Sequence, residues 1–360
     1  MKRRDHETSS IPPNADAIDV GADLRRKLVE LRSGEFSVAA PDRLQPGDLV
    51  AERYAIVRHL GRGAFCEVFE ASDQKNDGAA CAIKVPRAEG KSSEELITRF
   101  RVEVRAASLI DSPHAASAFD AGLLDDGRPF YAMEFLRGLS LAGLLVRDDR
   151  VHPAHVAMIG IDILHALHEA HTRGIIHRDI KPSNALVVRH PSAPRPYARV
   201  IDFGIAKVLD SGDFNASMMN LTGDGRSPCT PLYAAPEQMR GSVTPKSDLY
   251  SLAMLLAALI EGYAPYGEHR GAMLISRQLD GGEVPWGPRT MESPLADIIA
   301  IAGQKSPDRR FDSALAMRRA LLSVRERLRD EPEPPELYLP DDDLDFEGVG
   351  TTDGGDVTLL

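Results

Sequence analysis

Residues 175–184 read Ile-Ile-His-Arg-Asp-Ile-Lys-Pro-Ser-Asn, and the reading of these ten positions decides the fold. A surface loop accepts such a mixture of histidine, arginine, acid, amide and lysine at random. Ile175 and Ile176, however, bring the segment in from an apolar interior, so its polar groups are expected to be positioned for chemistry. Just upstream, Val156, Ile159, Ile163, Leu167 and Ala170 recur at helical spacing, and the run closes on Arg173-Gly174, a basic last turn and a glycine cap. Downstream, the longest apolar run, Leu249 to Ile260, is bounded by Asp248 and by Glu261-Gly262. It falls short of the roughly 18 residues a membrane helix needs and predicts a buried helix.

Before residue 100 the period changes. Tyr54–Leu60, Val68–Ala71 and Cys81–Val85 are strand-like and are separated by a glycine loop and a polar turn at Asp73–Gly78. A small strand-rich unit therefore precedes a larger helical one. The chain has 360 residues, 43% of them hydrophobic and 6% aromatic, enough for a large core in two domains or in one two-lobed domain with tails. The net charge of -11 lies entirely in residues 330–360, which hold eleven Asp or Glu and no Lys or Arg, while the preceding 329 residues balance. No basic domain or Lys/Arg run points to nucleic acid. Met1 to Arg4 are basic but no apolar segment follows them, so no signal peptide and no membrane segment are expected. The three cysteines, Cys66, Cys81 and Cys229, lack metal-ligand spacing, which fits a reducing, cytoplasmic setting. Residues 1–48 are expected to be a polar, flexible segment. Within it the amphipathic patch of Leu24, Leu28 and Leu31 reads as a frayed helix, with a docking element as the alternative. Residues 330–360 read as an acidic, disordered tail.

The glycine loop is Gly61-Arg-Gly63-Ala-Phe-Cys66-Glu-Val68. A second strand pattern follows it, where a dinucleotide fingerprint would continue into a helix, and no Gly-Lys-Ser/Thr is present. A hairpin whose tip folds over a nucleotide remains, with an ordinary turn as the plain reading. Lys84 leaves its strand from the face opposite Ile83 and Val85. In the helical pattern Glu94–Ile110, Glu103 falls among Leu96, Phe100, Ala107 and Ile110. A carboxylate on a packed face needs a cation, and Lys84 is the nearest candidate in sequence; the alternative leaves Glu103 at the stripe's edge in solvent.

In this order the motifs resemble the protein-kinase family, specifically the bacterial eukaryotic-like (Hanks-type) serine/threonine kinases. The resemblance covers about residues 53–325 and rests on Gly61-x-Gly63 with Val68, Ala82-Ile-Lys84, Glu103, His177 to Asn184, Asp202-Phe-Gly204, Ala235-Pro-Glu237, Asp248 and Arg310. It implies an α+β, bilobal protein-kinase fold: a β-rich lobe and hinge at 53–135 with one key helix, and a mainly helical lobe at 136–325. It implies ATP and Mg2+, with Mn2+ as a substitute, as cofactors, and transfer of the γ-phosphate to Ser or Thr hydroxyls of protein substrates. By resemblance Asp179 accepts the proton of the substrate hydroxyl, Lys181 contacts the transferring phosphate, and Asn184 and Asp202 hold the metal. Lys84, paired with Glu103, meets the ATP phosphates. Leu60, Gly61, Gly63, Val68, Ala82, Met133, Glu134 and Leu136 line the nucleotide site, with Met133 at the hinge or simply filling core.

His177 is expected to pack beneath the loop, Arg178 to meet a phosphate on the activation segment, Glu237 to pair with Arg310 and Asp248 to brace the catalytic loop. In that segment Thr222 is the first candidate for autophosphorylation. Thr230 is the second and resembles the threonine that contacts the catalytic aspartate; Ser211, Ser217 and Ser227 are hydroxyls in the same stretch. Cys66 and Cys229 stand where the family has glycine, as drift or as redox-sensitive positions. Residues 189–199 lengthen a hairpin, as a plain surface insertion or a docking site for acidic partners such as the chain's own tail. The expected protein is an active serine/threonine kinase in intracellular signalling, the alternative an ATP-binding pseudokinase or scaffold. Neither a membrane anchor nor a sensor is expected, so input is expected through soluble partners, the tails, including partner docking on the acidic one, or another kinase.

Overall fold

The structure is a computed structural model that describes residues 24, 27, 44–62, 66–87, 100, 104–148, 150–190, 193, 195–203 and 232–327. Gly63, Glu103, Gly204, the hydroxyls Ser211, Ser217, Thr222, Ser227 and Thr230, Cys229 and the acidic tail fall outside them.

The strand-like segments form a six-stranded antiparallel sheet, β1 (Leu49–Val50), β2 (Tyr54–Arg62), β3 (Cys66–Asp73), β4 (Ala79–Pro86), β5 (Ala118–Leu123) and β6 (Pro129–Glu134), in the order β1-β2-β3-β4-β6-β5. Alternation gives the sheet two apolar faces. Ile83 and Val85 join Tyr54, Ile56, Phe69 and Phe130 on one, while Val68, Ala82, Tyr131 and Met133 join Phe100 and Val104 on the other. The last two belong to a helical stretch, α1 at 104–109 with Phe100 before it, in which Val104 is the most buried of the described residues, ahead of Phe100 and Ile110 of the helical stripe. The sheet begins earlier than residue 53: β1 pairs with β2, Leu44 packs against its core, and the Gly47 N–H donates to the Ile56 carbonyl.

The second part is helical: α2 (Leu141–Asp148), α3 (Pro153–Thr172), α4 (Pro236–Met239), α5 (Pro245–Glu261), α6 (Gly271–Leu279), α7 (Pro288–Glu292), α8 (Ala296–Ala302) and α9 (Ala314–Arg327). Helices α3, α5 and α9 share one large core. The long apolar run became α5, started at Thr244, whose N–H donates to Ser247 Oγ at 3.1 Å, with Pro245 at its first turn, and ended by Gly262, whose φ of 89° suits glycine. No helix among the described residues is long and apolar enough to cross a membrane. A small sheet, β7 (Gly138–Ser140), β8 (Ala185–Val188) and β9 (Tyr197–Val200), pairs Ala185 with Val200 and so brings the end of the residue 175–184 stretch and Asp202 to the same end of the sheet.

One expectation is corrected. The patch near residue 24 is not merely frayed: Leu24 is helical and buried among Phe100, Val104 and β5, and the Lys27 ammonium lies 2.6 Å from Asp120. In the residue 189–199 stretch, Arg195 is held by both oxygens of the buried Asp162 of α3, at 2.9 and 3.1 Å, and Arg199 is buried against Glu134.

Candidate active site

The residue 175–184 loop is held from below by one carboxylate. Asp248, in the first turn of α5 and fully buried, accepts the His177 N–H at 2.9 Å and a His171 ring nitrogen at 2.8 Å on Oδ2, and the Arg178 N–H at 2.8 Å on Oδ1. Burial by itself would raise its pKa. The His171 hydrogen bond and charge and the Arg178 N–H outweigh this and keep it below the usual carboxylate range. A carboxyl shifted that way contributes stability that is present above its unfolded value of 3.8 and is lost as pH falls through the folded value. Unfolding followed from about pH 7 to about pH 3 should therefore show a shallower acid loss in Asp248→Asn than in the wild type. Equal slopes would remove Asp248 from the acid limb.

Arg178 carries a φ of 66° and Asp202 one of 57°, both in a region that costs non-glycine residues about 1–3 kcal/mol. Neighbours over-determine each. The Arg178 carbonyl accepts Gln238 Nε2 at 2.7 Å while its N–H is on Asp248. Asp202 follows Ile201, whose N–H donates to the Asn184 carbonyl at 3.0 Å and whose carbonyl accepts His177 Nε2 at 3.0 Å. Phe203 then packs its ring 4.7 Å from that of His177. With Nε2 donating, His177 Nδ1 accepts the Asp179 N–H at 3.2 Å, so the imidazole is neutral, and burial holds its pKa down. His177 is thus a joint between Asp179 and Asp202.

Asp179, Lys181 and Asn184 come together. Asn184 Nδ2 donates to the Asp179 carbonyl at 2.9 Å and to its Oδ2 at 3.0 Å, and Lys181 Nζ stands 3.3 Å from the same oxygen. Lys84, reaching across from β4, donates to Asp202 Oδ1 at 2.6 Å and lies over the Tyr131 ring. The structure thus brings residues 118 positions apart into contact; Glu103 falls outside the described residues. The Asn184 amide points its NH2 at Asp179, which leaves Oδ1 for another partner, and Asp202 Oδ2 makes no hydrogen bond among the described residues. Two hard oxygens on adjacent segments fit a divalent cation whose remaining ligands are phosphate oxygens and water.

Val68, Ala82 and Met133 are buried together with Leu60 against them, and Gly61 faces Val68 across the hairpin, whose tip at 63–65 is outside the described residues. Leu136 belongs to another cluster, with Leu186, Val188 and Ile201. Sequence reasoning missed Leu186 and Ile201. Their signal was the β alternation on either side of the 189–199 insertion, which puts both on Leu136's side. It also missed Arg199, whose guanidinium joins the Glu134 side chain to the Ala115 carbonyl. Among the described residues the Arg178 side chain makes no hydrogen bond, and its Nε is buried without a partner. Glu237 and Arg310 form the expected pair, with two contacts of 2.6 and 2.8 Å.

Residues 54–320 match the protein kinase domain family. The chain is similar to serine/threonine-protein kinase pkn3 of Myxococcus xanthus, 33% identical over 80% of this chain and 53% of the relative. It is likewise similar to PknA of Corynebacterium glutamicum, 33% identical over 80% and 59%, and to PrkC of Bacillus subtilis, 32% identical over 74% and 40%. It therefore spans about half the length of these curated relatives. Its fold is similar to the crystal structure of the PknI kinase domain of Mycobacterium tuberculosis, with a TM-score of 0.57 and 24% identity over 79% of this chain and 100% of that one.

Proposed function

From the premise that the chain belongs to the protein kinase family, in its bacterial serine/threonine branch, we propose that it is an active kinase that transfers the ATP γ-phosphate to Ser or Thr hydroxyls of protein substrates. The family uses ATP and a divalent cation. The observation that carries the reading is that Asp179, Lys181 and Asn184 meet in one set and Lys84 and Asp202 in another, the two sets tied by the Ile201 N–H to the Asn184 carbonyl, with both strained backbones held in place.

Phosphoryl transfer needs charge neutralisation and alignment more than covalent chemistry. Asp179 Oδ2 would take the proton of the acceptor hydroxyl, and Lys181 beside it would offset charge on the moving phosphate. Lys84 would exchange part of its contact with Asp202 for phosphate oxygens. Leu60, Val68, Ala82 and Met133 from one lobe and Leu136 and Leu186 from the other would enclose the adenine, with Gly61 and Gly63 admitting phosphates close to the backbone. The backbone of Glu134 would meet the adenine edge. Mg2+, or Mn2+ in its place, held by Asn184 and Asp202, would neutralise phosphate charge. Lys84 and Glu103 complete this reading as a pair.

Autophosphorylation in the activation segment belongs to the same proposal, with Thr222 as first candidate and Thr230 as second. Its support is the desolvated Arg178, whose pKa burial lowers and which would gain from an anion. The acidic residues 330–360 would offer basic partners a docking stretch, and the cysteine usage supports a reducing, cytoplasmic setting.

The test is phosphate incorporation from Mg-ATP with sites mapped by mass spectrometry. Label on Thr222 or a neighbouring hydroxyl is expected in the wild type and absent in Lys84→Met. Bound ATP with no label on the chain or on a generic acceptor would replace catalysis by the scaffold reading.

A further inference from the structure

Leu24 and Lys27 stand three positions apart, so one helical turn presents both on the same side. Leu24 is 1% exposed and is packed in the cluster that holds Phe100, Val104, Ala118, Ala121 and Tyr131. Lys27 Nζ reaches Asp120 Oδ1 at 2.6 Å. Asp120, itself nearly enclosed, accepts the Tyr54 hydroxyl at 2.6 Å and Arg53 at 3.0 Å on Oδ2, and its Oδ1, held by the Ala121 N–H at 2.8 Å, is the oxygen that meets the ammonium. An apolar anchor and a charged one on a single turn, matched by an apolar cleft and a buried carboxylate, specify a seated segment better than either does alone.

We propose that the turn carrying Leu24 and Lys27 is a docking element that the chain supplies to its own small lobe, and that its seating controls the nucleotide site. The receiving cluster is continuous with that site: Leu24 shares it with Val68, Ala82 and Met133, and Leu60 packs against it. Leu24 also sits with Val104 of α1, so the seated turn presses that helix onto the sheet. Interiors are close-packed, and withdrawal of a buried leucine leaves its neighbours without contacts on that side. Loosening is therefore expected to pass from the cleft behind α1 to the wall in front of it. The control of nucleotide binding rests on the function proposed above; the docking does not.

The experiment compares full-length wild type, Leu24→Asp, Leu24→Met and Lys27→Gln. Limited trypsin digestion reads cleavage after Arg25 and Arg26, and hydrogen exchange reads residues 104–110, 118–123 and 153–172. Leu24→Asp should be cut there at least about tenfold faster than wild type, a ratio that corresponds to about 1.4 kcal/mol of lost seating. Exchange should rise at 104–110 and 118–123 and stay unchanged at 153–172, and the KM for ATP should rise several-fold. Leu24→Met should behave as wild type. Lys27→Gln, a change at a half-exposed side chain that does not threaten the fold, should show the same cleavage and exchange effects in weaker form. Wild type cut after Arg25 and Arg26 as fast as Leu24→Asp, or Lys27→Gln indistinguishable from wild type, overturns the docking. Faster cleavage with KM unchanged overturns the control of the site. Cleavage and exchange need no catalysis, so a chain that transfers no phosphate at all would sink the proposed function and leave the docking decided on its own readouts.

Discussion

Asp179→Asn is expected to keep the fold and the affinity for ATP and to lose phosphoryl transfer by about 10²–10⁴-fold, the usual contribution of a positioned general base. The amide has the carboxylate's shape and can still accept the Asn184 Nδ2 hydrogen bond through its oxygen, so the loop has no steric reason to move. What it lacks is basicity, and it also deprives Lys181 of the anion 3.3 Å away. The Asp179 N–H to His177 hydrogen bond is a backbone contact and survives the change. The measurement is kcat and KM on an acceptor peptide beside ATP affinity from calorimetry. A loss confined to kcat supports the assignment, because the missing interaction then belongs to the transition state. An unchanged kcat would remove Asp179 from the chemistry.

The second large effect is on stability. Glu237→Ala is expected to cost about 3–5 kcal/mol, because it strands a charge in the interior. The Arg310 side chain is fully enclosed and stacks over the Tyr250 ring. Its Nη1 and Nη2 meet the two oxygens of Glu237, while the carbonyls of Gln304, Lys305 and Lys246 take its remaining donors. Ser247 adds a third hydrogen bond to the carboxylate. In a domain of this size such a loss lowers Tm by on the order of 10 °C. Glu237→Leu combined with Arg310→Met should recover much of the stability, since removal of both charges also removes the cost of burying them. Thermal and denaturant unfolding of the single and double variants check both statements. A cost under about 1 kcal/mol for Glu237→Ala would mean that the pair behaves as a surface contact.

Both variants act on residues whose place was legible before the structure. Asp179 stands in a dense polar stretch that follows two isoleucines. The local patterns likewise predicted β2, β3, β4 and α3 where they form, and the bounded apolar run predicted α5, because the signal for those elements is local in the sequence. The Glu237–Arg310 pair and the Asp248 brace came from resemblance rather than from period. The structure adds their cause: Asp248 is the first-turn acid of α5, where the helix terminus and three donors hold it charged.

The sequence by itself determined the order of the elements and the division into a strand-rich and a helical part, which are properties of short windows, and its resemblance to a family pointed to the polar residues at the site. Tertiary structure alone decided which of those residues meet. Lys84 lies on Asp202, Arg199 on Glu134, Arg195 on Asp162, and Lys27 on Asp120. A charge in a sequence shows only that a partner or water is required. Which partner it finds depends on the cost of burial at one point in space, and that cost exists only after the chain has closed around it.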